Sequence, residues 1–260
     1  MQAFTYANPS TLTDAARAAS VDNAKFLAGG QTLLASMKLG LSAPEALVDL
    51  ASIAALKGIT VSGGVVKIGA MTSHAAVAAN AEVQQAIPAL AELAGKIGDR
   101  QVRNRGTIGG SLANNDPAAC YPAAVLGLGA TVHTNSRSIA ADDFFKGMFE
   151  TALAEGEVIT AVSFPVPEKA GWQKFKQPAS RFSIVGVFVS KGPQGVRVAV
   201  TGAGASVFRA KALEAKLAAN WSAAALAGAS ISADGLNSDL HGSAEYRAAL
   251  VPVLAGRAVG

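Results

Sequence analysis

Two stretches of this chain combine glycine with side-chain hydrogen-bond donors at a spacing suited to holding an anion. The first is Phe26-Leu27-Ala28-Gly29-Gly30-Gln31-Thr32-Leu33-Leu34: an apolar strand-like run, a glycine pair, then a helical start. Glycine carries no Cβ, so its backbone N–H groups can approach a charged oxygen closely. A following helix adds unpaired N–H groups and the positive end of its dipole. Gln31 and Thr32 add side-chain donors. The second stretch is Asn104-Arg105-Gly106-Thr107-Ile108-Gly109-Gly110-Ser111-Leu112-Ala113-Asn114-Asn115-Asp116-Pro117. It places three glycines in five residues between other polar groups. Arg103 and Arg105 stand beside it, and Arg105 is the candidate brace. Asp116-Pro117 reads as a cap followed by proline at the first helical position. Two such stretches suit the two phosphates of a dinucleotide. On this reading, Gly109→Val or Gly110→Val removes ligand binding and leaves the fold largely intact.

Other chemistries lack their residues. No Gly-x-x-x-x-Gly-Lys-[Ser/Thr] run is present, so this is not a P-loop nucleotide site. No Gly-x-Ser-x-Gly elbow is present. Gly202-Ala203-Gly204-Ala205-Ser206-Val207 lacks the third glycine of a Rossmann fingerprint and is assigned to structure. The single cysteine, Cys120, allows no intrachain disulfide and no iron–sulfur cluster, and its solitude fits a reducing compartment. His74, His133 and His241 are isolated and read as structural or surface residues. A net charge of +4 over 260 residues, with no basic run interleaved with aromatics, argues against nucleic acid. No secretory signal is visible, and no apolar run reaches the ~18 residues of a membrane span. The expectation is a soluble, cytoplasmic protein whose 50% hydrophobic residues bury a substantial core.

The elements that must position these stretches follow from periodicity and punctuation. Residues 11–20 read as a helix capped by Thr11 or Thr13, 24–28 as a strand, 33–39 as a helix stopped by Gly40, and 46–50 as a strand. A hairpin at 58–70 turns on Ser62-Gly63-Gly64. Helices follow at 72–80 and 82–97, with Pro88 as kink or boundary. Residues 98–116 read as a long polar, glycine-rich segment and 117–128 as a helix, with strands at 130–134 and 158–164. Residues 165–171 read as a linker. Beyond it, strands at 172–176, 183–190 and 195–203 and helices at 208–219, 222–228 and 244–258 describe a sheet covered by helices.

The first glycine stretch followed by Met37-Lys38-Leu39 resembles the first flavin loop of a known family. Ile68-Gly69-Ala70-Met71-Thr72-Ser73-His74 and Gln101-Val102-Arg103-Asn104-Arg105-Gly106-Thr107-Ile108-Gly109-Gly110-Ser111-Leu112-Ala113 resemble its next two signatures. Ser238-Asp239-Leu240-His241-Gly242-Ser243-Ala244-Glu245-Tyr246-Arg247 resembles its C-terminal end. The family is the FAD-binding medium subunit of molybdenum hydroxylases, as in bacterial carbon monoxide dehydrogenase and the flavin part of xanthine dehydrogenase.

The resemblance implies an α+β chain: a two-part FAD-binding domain of the vanillyl-alcohol oxidase type, then a C-terminal α+β domain. The boundaries implied are 1–167, divided into 1–54 and 55–167, and 168–260. It implies that Ala28, Gly29, Gly30, Gln31 and Thr32, with Thr107, Ile108, Gly109, Gly110 and Ser111, wrap the pyrophosphate of a non-covalent FAD. Asp116 would lie near the ribityl chain, and Ile97 and the backbone near Val158 or Ile159 would meet the adenine end. Lys174 matches a lysine near the flavin ring, where a cation favours anionic reduced flavin. Leu33, Leu34 and Asn114 complete the set of cofactor-binding candidates. Arg181-Phe182 departs from the family pattern of Asp followed by an aromatic or small residue.

The implied role is electron transfer. A large subunit with the molybdenum cofactor oxidises the substrate, and a small subunit carries electrons through [2Fe-2S] clusters to this FAD, in a heterotrimer or a dimer of heterotrimers. An external acceptor then receives them. No catalytic residue and no metal ligand is assigned to this chain. Two alternatives stand beside this reading. One is a self-contained flavin oxidase of small alcohols or aldehydes on the same fold, with flavin attached through His74, His133 or Cys120. The other is an interaction module that has lost its flavin.

Overall fold

The structure is a computed structural model describing residues 2–260; Met1, the first residue of the expected N-terminal domain, lies outside the described residues. The first 50 residues or so build a small parallel sheet. β1 (Thr5–Ala7), α1 (Leu12–Ala18), β2 (Ala24–Leu27), α2 (Leu33–Lys38) and β3 (Ala46–Asp49) arrange as β1-β3-β2. Thr11 is the cap of α1, accepting from the Asp14 N–H. Composition foretold every element here except β1.

The middle of the chain begins with β4 (Ile59–Ser62) and β5 (Val65–Gly69). Gly63 and Gly64 both have positive φ, 56° and 74°, as a two-residue hairpin loop of primed type requires. Five helices follow: α3 (His74–Ala79), α4 (Ala81–Ala86), α5 (Pro88–Gly95), α6 (Arg100–Arg105) and α7 (Ile108–Asn114). Ile87 and Pro88 split the run expected at 82–97 into α4 and α5, with proline at the start of the second. The polar segment 98–116 is not a loop: α6 and α7 lie within it. Each is short and capped, α6 by Asp99 accepting from the Val102 N–H and α7 by Thr107 accepting from Gly110. Glycine content hid them because these glycines permit contact rather than freedom.

Next come α8 (Tyr121–Gly127), β6 (Thr131–Thr134), β7 (Ser138–Ala140), α9 (Ala141–Phe144), β8 (Phe145–Gly147), β9 (Glu150–Thr151) and β10 (Ile159–Pro165). The helix expected from 117 starts at Tyr121 instead. Asp116 accepts from the Ala118 N–H at 2.8 Å in a turn, so Asp116-Pro117 ends one segment without opening the next. The five-stranded sheet runs β4-β5-β10-β6-β7, all antiparallel. All of α8 is buried. Arg197 Nε donates to Leu126 O at 2.8 Å and Ser190 Oγ to Gly127 O at 2.6 Å, satisfying its C-terminal carbonyls.

The remainder is β11 (Lys169–Lys176), β12 (Ser183–Gly192), β13 (Gly195–Thr201), β14 (Phe208–Arg209), α10 (Lys211–Ala219), a 3-10 turn at Ala223–Leu226, and α11 (Ala244–Val259). The strands form one antiparallel sheet in sequence order. The helix expected from 208 is preceded by β14. The expected linker reduces to Val166, Pro167 and Glu168. It is tied on both sides, with the Val166 N–H donating to Gly64 O and that of Glu168 to Lys191 O. Buried residues run without alternation from Ser183 to Ser190 because α8 covers one face of this sheet and α10 and α11 the other. One apolar cluster joins Val66, Leu90, Tyr121 and Phe164 to Trp172 and Phe188, so the middle sheet and the C-terminal sheet share a core. A smaller cluster of Ala15, Val48, Leu50, Ile53, Leu56 and Val158 seats the N-terminal sheet. No helix among the described residues is long and apolar enough to cross a membrane.

Candidate functional site

The two glycine stretches meet. A Cβ on Gly29 would stand 2.2 Å from the Arg105 carbonyl oxygen and 2.7 Å from Gly106 Cα. A Cβ on Gly110 would stand 3.3 Å from Ala28 Cβ and 3.0 Å from Thr107 Oγ1. Only glycine allows the loop after β2 to lie against the α6–α7 junction at this range.

Their amides differ. In the second stretch four N–H groups are occupied: Ile108 donates to Thr72 O, Gly109 to Ala70 O, Gly110 to Thr107 Oγ1 and Ser111 to Thr107 O. Gly109 is a packing glycine, since its Cβ would meet Ala70 Cβ at 2.6 Å and Ala70 O at 2.8 Å. Four of the five amides at 107–111 are therefore spent on a buttress. Thr72 and Ala70, which sequence reasoning left without a role, hold it. The Ile68–His74 signature was the available signal for them.

In the first stretch, Gly30 sits at φ +73°. Among the described residues, the main-chain bonds outside helices and strands use none of the N–H groups of Gly30, Gln31 and Thr32. Thr32 makes no side-chain capping bond, and Gln31 and Thr32 are exposed. Leu33, Leu34 and Ser111 are half-buried beside them. This is the donor set that a diphosphate requires: consecutive amides and a hydroxyl at a helix start.

Below the junction lies His74, whose N–H donates to Gly106 O at 3.0 Å. Burial, then the nearby Arg103 charge, pull its pKa down to about 4. Its Nδ1 and the Tyr121 hydroxyl are buried without partners, and the two rings lie 5.3 Å apart. His133 is held between Ser138 Oγ and Ser163 Oγ, each at 2.8 Å. Cys120 is buried.

Lys174 lies half-buried on β11. Its Nζ donates to Lys96 O at 2.9 Å and contacts Cys120 Sγ at 3.4 Å. Ile97 is the residue after that carbonyl, so Ile97 and Lys174 share one place, where α5 ends against the C-terminal sheet. The same border holds Asp116 and Asn114: Pro117 O accepts from Gly202 N–H, and Ala118 O from Ser183 N–H. Val158 lies at the other end, in the N-terminal core, with Asn135 Oδ1 bonded to its N–H and its own carbonyl bonded to Asn135 N–H. Ile159 is buried in β10. The structure thus brings together the candidates at 28–34 and 107–111, while Ile97 packs on the main apolar cluster, which also holds Ile159, and Val158 belongs to the N-terminal one. Bracing also differs from expectation. Arg103, not the exposed Arg105, holds the chain, donating through Nη1 to Ile97 O at 2.9 Å and Gly98 O at 3.1 Å.

Val158 follows a buried acid. Arg137 hydrogen bonds hold the Glu157 carboxyl well below the usual carboxylate range, against burial, with help from the Ala154 N–H, Thr134 and Ser136. A depressed folded pKa stabilises above the unfolded value and is lost as pH falls through the folded one. Glu157→Gln is expected to lower the melting temperature at pH 7 and to flatten the acid limb below about pH 4.5. Equal melting curves for both proteins from pH 7 to 3 would contradict this.

Comparison with known proteins places this geometry. Residues 2–167 match the family described as FAD binding domain in molybdopterin dehydrogenase. The chain is 34% identical over 274 aligned residues to the nicotine 6-hydroxylase medium subunit of Paenarthrobacter nicotinovorans, covering 100% of this chain and 97% of that one. It is 34% identical to the carbon monoxide dehydrogenase medium chain of Hydrogenophaga pseudoflava, covering 91% and 88%. Among solved structures, reconstituted CO dehydrogenase from Oligotropha carboxidovorans superposes with a TM-score of 0.91 at 31% identity, covering 99% and 96%. The chain belongs to the family of FAD-binding domains of molybdopterin dehydrogenases.

Proposed function

We propose that this chain is the FAD-binding, electron-transferring subunit of a molybdenum hydroxylase. The observation that carries this reading is the Gly29 loop, pressed by its glycine onto Arg105–Gly106 and presenting unused amides and the Thr32 hydroxyl. In this reading Ala28 to Leu34 and Ser111 hold the pyrophosphate, with Thr107, Ile108, Gly109 and Gly110 fixing the loop from behind. Val158 and Ile159 border the adenine end; Asn114, Asp116, Ile97 and Lys174 border the ring end. FAD supplies, when bound, the couple that takes up and releases electrons. The chain's own part is to bind and orient it and to hold a cation, Lys174, at the ring end.

The domain division at 54/55 and 167/168 belongs to the same proposal, supported by the separate N-terminal core and by the family match ending at 167. So do the partners. A large molybdenum subunit would oxidise the substrate, and a small iron–sulfur subunit would deliver electrons, in a heterotrimer or its dimer in the cytoplasm. Medium subunits and chains are what the relatives are named. The three residues raised for covalent flavin are buried or locked within the protein, which disfavours the self-contained oxidase.

The direct test is reconstitution. The purified chain should take up one FAD with absorbance near ~450 nm. Acid should release the flavin, and tagged chain should co-purify with a molybdenum subunit and an iron–sulfur subunit. No flavin uptake would end this reading. Lys174→Met should retain FAD but lower its midpoint potential by roughly 30 mV or more, because losing a cation disfavours the anionic reduced form. An unchanged potential in spectroelectrochemical titration would remove Lys174 from the ring end.

A further inference from the structure

We propose that the outer face of α11 pairs antiparallel with the same face of a second copy of this chain, about a two-fold axis opposite Val251. The contact does not depend on flavin.

The two faces of α11 differ. Arg247, Ala248, Val251, Leu254 and Ala255 are buried on its inner side. A surface helix carries charged and polar residues along its other side. Here the exposed row is Glu245, Ala249, Val253 and Arg257, so charge stands only at its two ends. Val253, in the middle, is 48% exposed. Between this row and the 223–233 segment runs a groove of about 980 Å³. Of the side chains lining it, only those of Ser230, Glu245 and Arg257 are polar. Pro252 lies inside the helix and has no N–H, so Ala248 O, also in the lining, lacks its donor four residues on. An apolar strip rimmed by charge marks a contact surface.

The charges name the occupant. Among the described residues, neither Glu245 nor Arg257 enters an ion pair. Neither has an opposite charge three or four residues away on its own helix. Asp234, which follows the lining residue Ala233, accepts from Ser232 Oγ at 2.9 Å and lines the neighbouring cavity. The row 245-249-253-257 is symmetric about residue 251. An antiparallel copy therefore sets Glu245 against the second Arg257 at both ends, and Ala249 against Val253 between them. Rows spaced four residues apart are the ridges that interlock in the commonest class of helix packing. A two-fold contact of this kind closes at two copies. A partner of different sequence would have to carry these charges in reverse order; α11 already does. In such a contact the apolar strip supplies affinity and the charges fix register.

The 16 residues of α11 span roughly 24 Å. A face of that length stands at the small end of specific interfaces, so pairing with a Kd on the order of 10 µM is expected.

The test is sedimentation velocity on the full chain through a concentration series bracketing that value, with and without FAD. A monomer–dimer equilibrium is expected in both. Val253→Glu places a carboxylate in the strip and should weaken pairing roughly tenfold or more. Val253 is exposed, so this variant should melt as the parent does. Arg257→Glu and Glu245→Arg each set like charges against each other and should each weaken pairing about tenfold. The double variant carrying both changes should regain the parent's affinity, because both pairs re-form with their signs exchanged. A loss through damage to the helix ends would instead deepen in the double variant. The proposal is overturned if the parent stays monomeric through the series, if Val253→Glu pairs as the parent does, or if the double variant pairs no better than the singles. It is also overturned if the parent is monomeric and Val253→Glu loses another subunit in co-purification, which would assign the face to that subunit. A chain that takes up no FAD yet dimerises in this way would sink the functional reading and leave the contact standing.

Discussion

Gly29→Ala is expected to abolish FAD uptake, reducing affinity by roughly a hundredfold or more. One methyl group suffices because its neighbours are main-chain atoms: the Arg105 oxygen at 2.2 Å and Gly106 Cα at 2.7 Å. A flexible side chain could swing aside, but here the whole loop must lift from α6 and α7. Overpacking of this kind costs about 1–3 kcal/mol. The displaced loop is the one that offers the free amides, so binding suffers more than folding. Gly109→Val separates the two effects. Its Cβ would drive into Ala70, next to β5, so this variant is expected to lose stability first and flavin only as a consequence. That replaces the expectation that substitution at Gly109 spares the fold. Gly110 touches a hydroxyl and a methyl at 3.0 and 3.3 Å, and substitution there should be milder. Flavin content by absorbance and melting temperature, measured on all three, decide the matter. A Gly29→Ala protein with full flavin content would remove the first loop from the site.

Where backbone conformation was dictated locally, the sequence carried it. Gly63-Gly64 announced a tight hairpin, Pro88 a kink or boundary that is the start of α5, and 183–190 a strand in a sheet covered by helices. The site was half legible for the same reason. Glycines mark places where backbone must come close, and both stretches are such places. What glycine does not say is what comes close. At Gly30 the neighbourhood leaves amides free; at Gly109 the approaching group is Ala70. That distinction depends on residues about forty positions apart meeting across β5 and α7. Glycine density likewise made 98–116 look like a loop, although Asp99 and Thr107 carry ordinary capping signals for α6 and α7. The candidates away from the glycine loops were least legible. Ile97 and Lys174 are distant in sequence and adjacent in space, because the C-terminal sheet packs against the end of α5. Resemblance alone assigned them to opposite ends of the cofactor.

Arg247→Ala is expected to produce the largest loss of stability among changes to the C-terminal sheet and its helices. Arg247 is buried on α11, and its guanidinium joins three segments. Nη1 donates to Ile184 O at 2.6 Å and Gly202 O at 2.9 Å, and Nη2 meets both Asp239 oxygens at 2.8 Å. Removing it takes a charged donor from the Ile184 carbonyl and leaves that of Gly202 only Asn237 Nδ2 at 3.5 Å, each loss costing about 1–3 kcal/mol, while the half-exposed acid turns to solvent. A chain of this size should then melt roughly 6–15 °C lower. Asp239→Asn should do less, since that side chain is 46% exposed and the arginine keeps its carbonyls. Burial pushes the Asp239 carboxyl up, but the His241 N–H and Arg247 hold it below its usual range. Its share of stability is therefore present at neutral pH and lost as pH falls below about 4. The loss should reach the segment at Asp116. Gly202 N–H bonds Pro117 O, and Ser183, next to Ile184, bonds Ala118 O; these groups pin the chain just after Asp116. Arg247→Ala is thus expected to weaken FAD binding from a residue far along the sequence, with Lys174 and the glycine loops intact. A variant that melts early yet binds FAD as tightly as the parent would show that the ring end does not depend on this clamp.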